Sequence, residues 1–186
     1  SDLEFVAVHP MAGREGSGIV MSEGVAFDQA NYIIVPTACN TDEGLAAAKK
    51  LGEILGFAQI AELDVDTHDE MIAYLSQLTH CIAVALMTCR DCEHMTAYTG
   101  DSFRDLTRIA RINDEMWSEL FLLNKEKLLS QMDLFIDEIT RMRDLLKKGD
   151  REGLRNMMRR STARRALFDK PVTETSQSII EKENRK

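Results

Sequence analysis

The sequence predicts an α+β chain, in which a short piece of parallel sheet leads into an all-helical region. Two observations carry that prediction. In the first third, apolar runs of strand length alternate with a single helical pattern. From Thr67 onward apolar residues recur three and four positions apart almost without interruption, and Pro171 is the only proline after Pro36.

The elements follow in order. Phe5-Val6-Ala7-Val8, Tyr32-Ile33-Ile34-Val35 and Ala58 to Leu63 read as buried strands. Between the last two, Thr41 can cap a helix across Asp42 to Leu55, with Asp42 and Glu43 in its first turn and Gly56 as its stop. A strand-helix-strand unit of this kind needs a larger sheet covered on both faces, so three strands make an incomplete one. Thr67 and Asp69 supply capping chemistry for a helix bearing Met71, Leu75, Leu78, Ile82 and Leu86. Around Cys81 to Met87 that helix is apolar on every side, which places His80 inside the molecule or at an interface. The longest helix is expected from about Asp114 to Lys148, with a break near Asn124. Its stripe Leu128, Met132, Phe135, Ile139, Met142 and Leu146, widened by Leu129 and Ile136, has the spacing of a helix-on-helix seam. It can pack within the chain or against a symmetry mate, and a homodimer is the favoured expectation. The polar tail after Pro171 is expected to be mobile.

Composition narrows the function. The 186 residues, 44% hydrophobic and 29% charged, are ordinary globular material. No apolar run approaches the ~20 residues of a membrane span, and Ser1-Asp2-Leu3-Glu4 has no signal-peptide pattern. A cytoplasmic location without a membrane partner is therefore expected. The net charge of -8 argues against nucleic acid. Residues 141–170 hold 11 Lys or Arg against 4 Asp or Glu, but they read as a solvated amphipathic helix with Met157, Met158, Ala166, Leu167 and Phe168 facing inward. Cys39, Cys81, Cys89 and Cys92 are expected as reduced thiols. Cys89 and Cys92 form a lone CxxC with His94 beyond, too little to assign a metal.

Four stretches carry chemistry. In HPMAGRE, His9 follows a strand, where ligands gather in open α/β sheets, and it can accept a proton near neutral pH. A histidine hydrogen-bonded into a turn before Pro10 is the competing reading. The following GREGSGIV lacks the third glycine and the helix of a dinucleotide loop. In GDSFRDLTRIA, the spacing of Arg104, Asp105 and Arg108 puts an Arg, Asp, Arg cluster on one helix face. It reads as a surface ion network or as a guanidinium grip on a carboxylate. Ser76 and His80 lie one turn apart, and His80 is either a satisfied core residue or a ligand group. Trp117 either staples Ile112 across an Asn113 cap or walls a pocket for a ring-shaped substrate.

Taken together, HPMAGRE, HDEMIAYLSQLTH ending in His80, GDSFRDLTRIA and Met116-Trp117 resemble the prephenate dehydrogenase family of tyrosine biosynthesis, over roughly residues 5 to 150. The resemblance implies the last strands of a Rossmann-like nucleotide-binding domain over 1–65, a helical substrate-binding and dimerisation domain over 66–170 and a tail over 171–186. The chain then reads as a fragment without the glycine-rich loop, inactive alone, with no complete cofactor site and no metal. The resemblance further implies an NAD-dependent oxidative decarboxylation of prephenate to 4-hydroxyphenylpyruvate, with NADP and arogenate as open alternatives for cofactor and substrate. His9 would be the base, Arg108 the holder of the ring carboxylate, His80 a contact at the other end of the substrate and Trp117 a pocket wall. Glu15, Arg104 and Asp105 would form a charged network at the mouth. This chain departs from the family pattern at Gln77 and Thr79, where SHLPH is common, and at Asp101 and Ser102, where glycines are common. A non-catalytic helical interaction module built on the Leu128 to Leu146 seam remains the reading from another class.

Overall fold

The computed structural model describes residues 3–12, 27, 30–91 and 93–169. A three-stranded sheet has the order β1 (Ala7–Met11), β2 (Asn31–Val35), β3 (Gln59–Glu62). Strands β2 and β3 are parallel, and the intervening helix α1 (Asp42–Ile54) makes the expected strand-helix-strand unit. Strand β1 is antiparallel to β2, with His9 opposite Ile33.

The first strand lies further along the chain than Phe5 to Val8. Residues 4 and 5 serve the start of α1 instead. The Glu4 carboxylate accepts hydrogen bonds from the Thr41 amide at 2.8 Å and its hydroxyl at 2.6 Å, and Asn40 Nδ2 donates to the Phe5 carbonyl at 2.8 Å. Those Thr41 bonds hold the Glu4 carboxyl below the ordinary carboxylate range. Pro10 lies within β1, an outer strand, where a missing amide hydrogen is tolerated. Thr41 caps α1 by accepting from the Gly44 amide, and Gly56 ends the turn with φ +79°, a conformation that favours glycine. Tyr32, Ile34 and Phe57 are buried between sheet and helix. Gly52 makes the close approach possible, since a Cβ there would sit 2.8 Å from the Tyr32 ring.

Helix α2 (Val65–Ile72) passes through a π-helical turn, Ala73–Gln77, into α3 (Leu78–Thr88). The cap is Asp64, which accepts from the Thr67 amide at 3.0 Å; Thr67 and Asp69 lie inside the helix. The continuous run Val65–Thr88 is 24 residues, long and apolar enough by length and composition to cross a membrane. Reading apolar runs in the sequence missed this, because His68, Asp69, Ser76, Gln77 and His80 interrupt them. His68, Asp69, Gln77 and His80 find partners in the chain, and Ala73 and Leu78 pack with Leu128 in a second buried cluster.

Helix α4 (Asp101–Thr107) ends one residue before Arg108, which opens a 3₁₀ turn to Ala110. Asn113 caps α5 (Asp114–Leu123) by accepting from the Met116 amide at 3.1 Å, and Asn124 separates it from α6 (Lys125–Lys148), where the break was expected. The break has a polar cause. Asn124 Nδ2 donates to the Asp69 carbonyl at 2.9 Å and to Gln77 Oε1 at 3.0 Å, while Gln77 Nε2 donates to the Leu120 carbonyl at 3.0 Å.

By internal contacts the chain forms two compact units, Ser1–Asp133 and Leu134–Lys186, the division falling within α6. The described part of the second unit is a helical hairpin. Gly149, at φ +67°, turns the chain into α7 (Arg151–Arg165), which Asp150 caps. Arg160 pairs with Glu138 across the hairpin. The inward face expected for α7 is corrected except at Met157, which is partly buried. Met158 is 56%, Leu167 82% and Phe168 63% exposed, because two helices alone offer only one side to pack on. The tail after Pro171 lies outside the described residues.

Candidate active site

Strand β1 carries His9, and the Asp64 cap sets the phase of α2 so that His68 meets it. His9 Nδ1 lies 2.9 Å from His68 Nε2, and His68 Nδ1 lies 2.9 Å from Asp69 Oδ1. The two imidazoles are tilted by 56°, so they meet through ring nitrogens rather than by stacking. Burial, and then the neighbouring His68, push His9 below the ordinary histidine range. At neutral pH it is therefore an uncharged imidazole able to accept a proton.

On the same run of helix, His80 stacks on Trp117 with ring centroids 3.8 Å apart, and Trp117 contacts Phe121. His80 Nδ1 donates to the Ser76 carbonyl at 2.9 Å. Its Nε2 then accepts when the ring is neutral and donates when it is protonated. Two positions that depart from the SHLPH pattern are structural here. Gln77 is buried in the amide network with Asn124, and Thr79 donates to the Ser76 carbonyl at 2.6 Å.

Arg108 is exposed on its 3₁₀ turn. With Arg104, Asp105, Thr107, Arg111 and Met87 it lines an open cavity of about 560 Å³. Three guanidiniums around one cavity suit an anion. The lining does not include His9, His80 or Trp117, so the chemistry-bearing residues stand in three groups: a histidine pair, a histidine-tryptophan stack and an arginine-lined cavity. Arg104 pairs with Asp101 at 2.7 Å and donates to the Thr99 carbonyl at 3.1 Å. Thus one of the residues that replaces a common glycine engages the arginine expected to pair with Asp105. Glu15 and Cys92 lie outside the described residues.

Sequence reasoning missed His68 and took Asp69 as a capping residue. The usable signal was a His-Asp pair one turn into a helix that follows a strand. A contact spanning 59 residues is invisible to periodicity.

Comparison with known proteins gives these groups a context. Residues 64–160 match the family described as prephenate dehydrogenase, dimerization domain, and residues 1–60 match prephenate dehydrogenase, nucleotide-binding domain. The chain is 30% identical over 161 residues to prephenate dehydrogenase of Bacillus subtilis, covering 83% of this chain and 43% of that protein. It is 28% identical over 152 residues to cyclohexadienyl dehydrogenase of Zymomonas mobilis, covering 78% of this chain and 52% of that protein. The chain thus spans about half the length of these curated relatives. Among solved structures, Aquifex aeolicus prephenate dehydrogenase with hydroxyphenyl propionate and NAD+ superposes with a TM-score of 0.77 at 27% identity, over 89% of this chain and 59% of that one. Synechocystis arogenate dehydrogenase gives a TM-score of 0.75 at 22% identity, over 89% of this chain and 62% of that one, a likeness of fold alone. The dimerization-domain match by itself spans more than half of the 186 residues, so the chain belongs to the prephenate dehydrogenase family.

Proposed function

We propose that this chain supplies the substrate-binding and dimerisation part of a cytoplasmic, NAD-dependent prephenate dehydrogenase of tyrosine biosynthesis. The observation that carries the reading is His9, part-buried on the end strand of the sheet and 2.9 Å from His68, in a chain of this family. His9 is the base that takes the proton of the ring hydroxyl as the ring carboxylate leaves as carbon dioxide. NAD, when bound, supplies the hydride acceptor. No described residue belongs to a glycine-rich phosphate loop, so no residue of this chain is assigned to the cofactor.

Arg108 holds the ring carboxylate, for which a planar guanidinium is suited. His80 reaches the side-chain end of the substrate with Trp117 as an apolar wall. Arg104 and Asp105 form the charged mouth, with Asp101 drawing Arg104 toward itself, and the family motif adds Glu15 to the same network. The test is NADH formation from prephenate by the full-length protein. His9→Asn is expected to lower kcat by roughly 10²-fold or more, and Arg108→Ala to act mainly on KM. Full activity in either variant removes that residue from its role.

Arogenate is the alternative substrate, differing by an amino in place of a keto group. The hydrogen bond from His80 Nδ1 to Ser76 leaves Nε2 an acceptor in the neutral ring, which suits an ammonium, whereas the protonated ring suits a keto acid. Side-by-side kcat/KM for the two substrates decides between them.

A further inference from the structure

We infer that His68 and Asp69 set the tautomer of His9, directing its free lone pair to Nε2, so that His68 is a positioning residue for the proton transfer; the inference rests on His9 being the base. An ionised carboxylate has no hydrogen to give, so the 2.9 Å contact of Asp69 Oδ1 with His68 Nδ1 requires His68 to donate. Neutral His68 then has only a lone pair at Nε2. The 2.9 Å contact between that nitrogen and His9 Nδ1 requires the hydrogen to come from His9. His9 Nε2 is left as the acceptor. Each step follows from counting donors and acceptors along one line of contacts.

Asp69 is held for this role by its backbone, whose carbonyl accepts from Asn124 Nδ2 at 2.9 Å within the Gln77 network. Among the described residues, the charged side chain in contact with the pair is Asp69, on His68. Lys127 Nζ lies 2.7 Å from Asp66 and also acts electrostatically on Glu70 and Asp69. The face of β2 opposite His9 presents Ile33, which does not titrate.

The experiment reads the ring nitrogens directly. In ¹⁵N-histidine-labelled chain at pH 8, long-range ¹H–¹⁵N correlation should show His9 protonated at Nδ1 and unprotonated at Nε2. Asp69→Asn, whose carboxamide can donate to His68, should reverse the polarity along the line and move the His9 hydrogen to Nε2. Asp69→Glu should restore the wild-type pattern. A wild-type His9 protonated at Nε2 overturns the inference even if the Asn variant fails to fold, and so does an Asn variant with an unchanged tautomer. In the full-length protein, Asp69→Asn should lower kcat by roughly 10²- to 10⁴-fold with KM within about twofold. An enzyme at full rate with a reversed tautomer removes the positioning role alone. Absence of NADH formation by the full-length wild type removes the dehydrogenase reading instead, and leaves the tautomer measurement standing.

Discussion

Residues 3–133 enclose two buried clusters, one around Tyr32, Ile34 and Phe57 and one around Ala73, Leu78 and Leu128, whereas no described residue from Leu134 to Asp169 is buried. The contrast runs along a single helix. On α6, Leu128 is 5% exposed and Ile139, on the same stripe, is 49% exposed. Residue type does not separate them; what lies opposite does. Leu128 has Ala73 and Leu78 against it, while Phe135, Ile136, Ile139 and Leu146 have an apolar face that the described residues leave exposed. Burying such a face stabilises by ~25 cal/mol per Å² of apolar surface, which gives a second copy of the chain a reason to bind there.

Four outcomes test that contrast, in order of expected size. Ile34→Ala, at a fully buried site of the first unit, should cost ~2–5 kcal/mol in urea unfolding. Asn124→Ala strips the partner from Gln77 Oε1 and the Asp69 carbonyl and should cost ~1–3 kcal/mol by the same measurement. A value near zero would show that the polar cluster is not what joins the helices of the first unit.

The second unit should respond differently. Ile139→Glu with Leu146→Glu should change protomer stability by no more than ~0.5 kcal/mol per site, yet lower the mass in sedimentation from dimer to monomer. An unchanged dimer mass would mean that this face is ordinary surface. The smallest effect concerns pH. Because the folded pKa of His9 lies below its ordinary 6.5, the unfolded chain binds more protons between the two values. The contribution of His9 is therefore complete above about 6.5 and is lost as pH falls through the folded pKa. His9→Gln should flatten the stability profile in that window, and an unaltered slope would refute the burial of His9 as its cause.

Much of the fold is legible in the sequence. Thr41 and Gly56 bound α1, Asn113 starts α5, and Asn124 marks the break before α6. These are local signals, since a cap or a left-handed glycine acts within a few residues. The misreadings arise where a distant group competes. Phe5 reads as the start of a strand, but Asn40 engages its carbonyl, and Glu4 beside it holds Thr41. Asp69 reads as a cap, but its carboxylate belongs to His68. The site divides in the same way. His9, His80, Arg104, Arg108 and Trp117 stand out by type and motif, whereas His68 gains meaning only beside His9.

By itself, the sequence determined the strand-helix-strand unit, the long helices, the family and the residue types able to move a proton or hold a carboxylate. Periodicity and capping are written in neighbouring residues, which explains that reach. Only the tertiary structure decided that His9 meets His68 rather than standing alone, that Gln77 and Asn124 tie two helices, and that among the described residues half of one apolar stripe is covered while the other half is exposed. Those outcomes depend on contacts between residues far apart in the chain, and local patterns do not encode which distant group arrives.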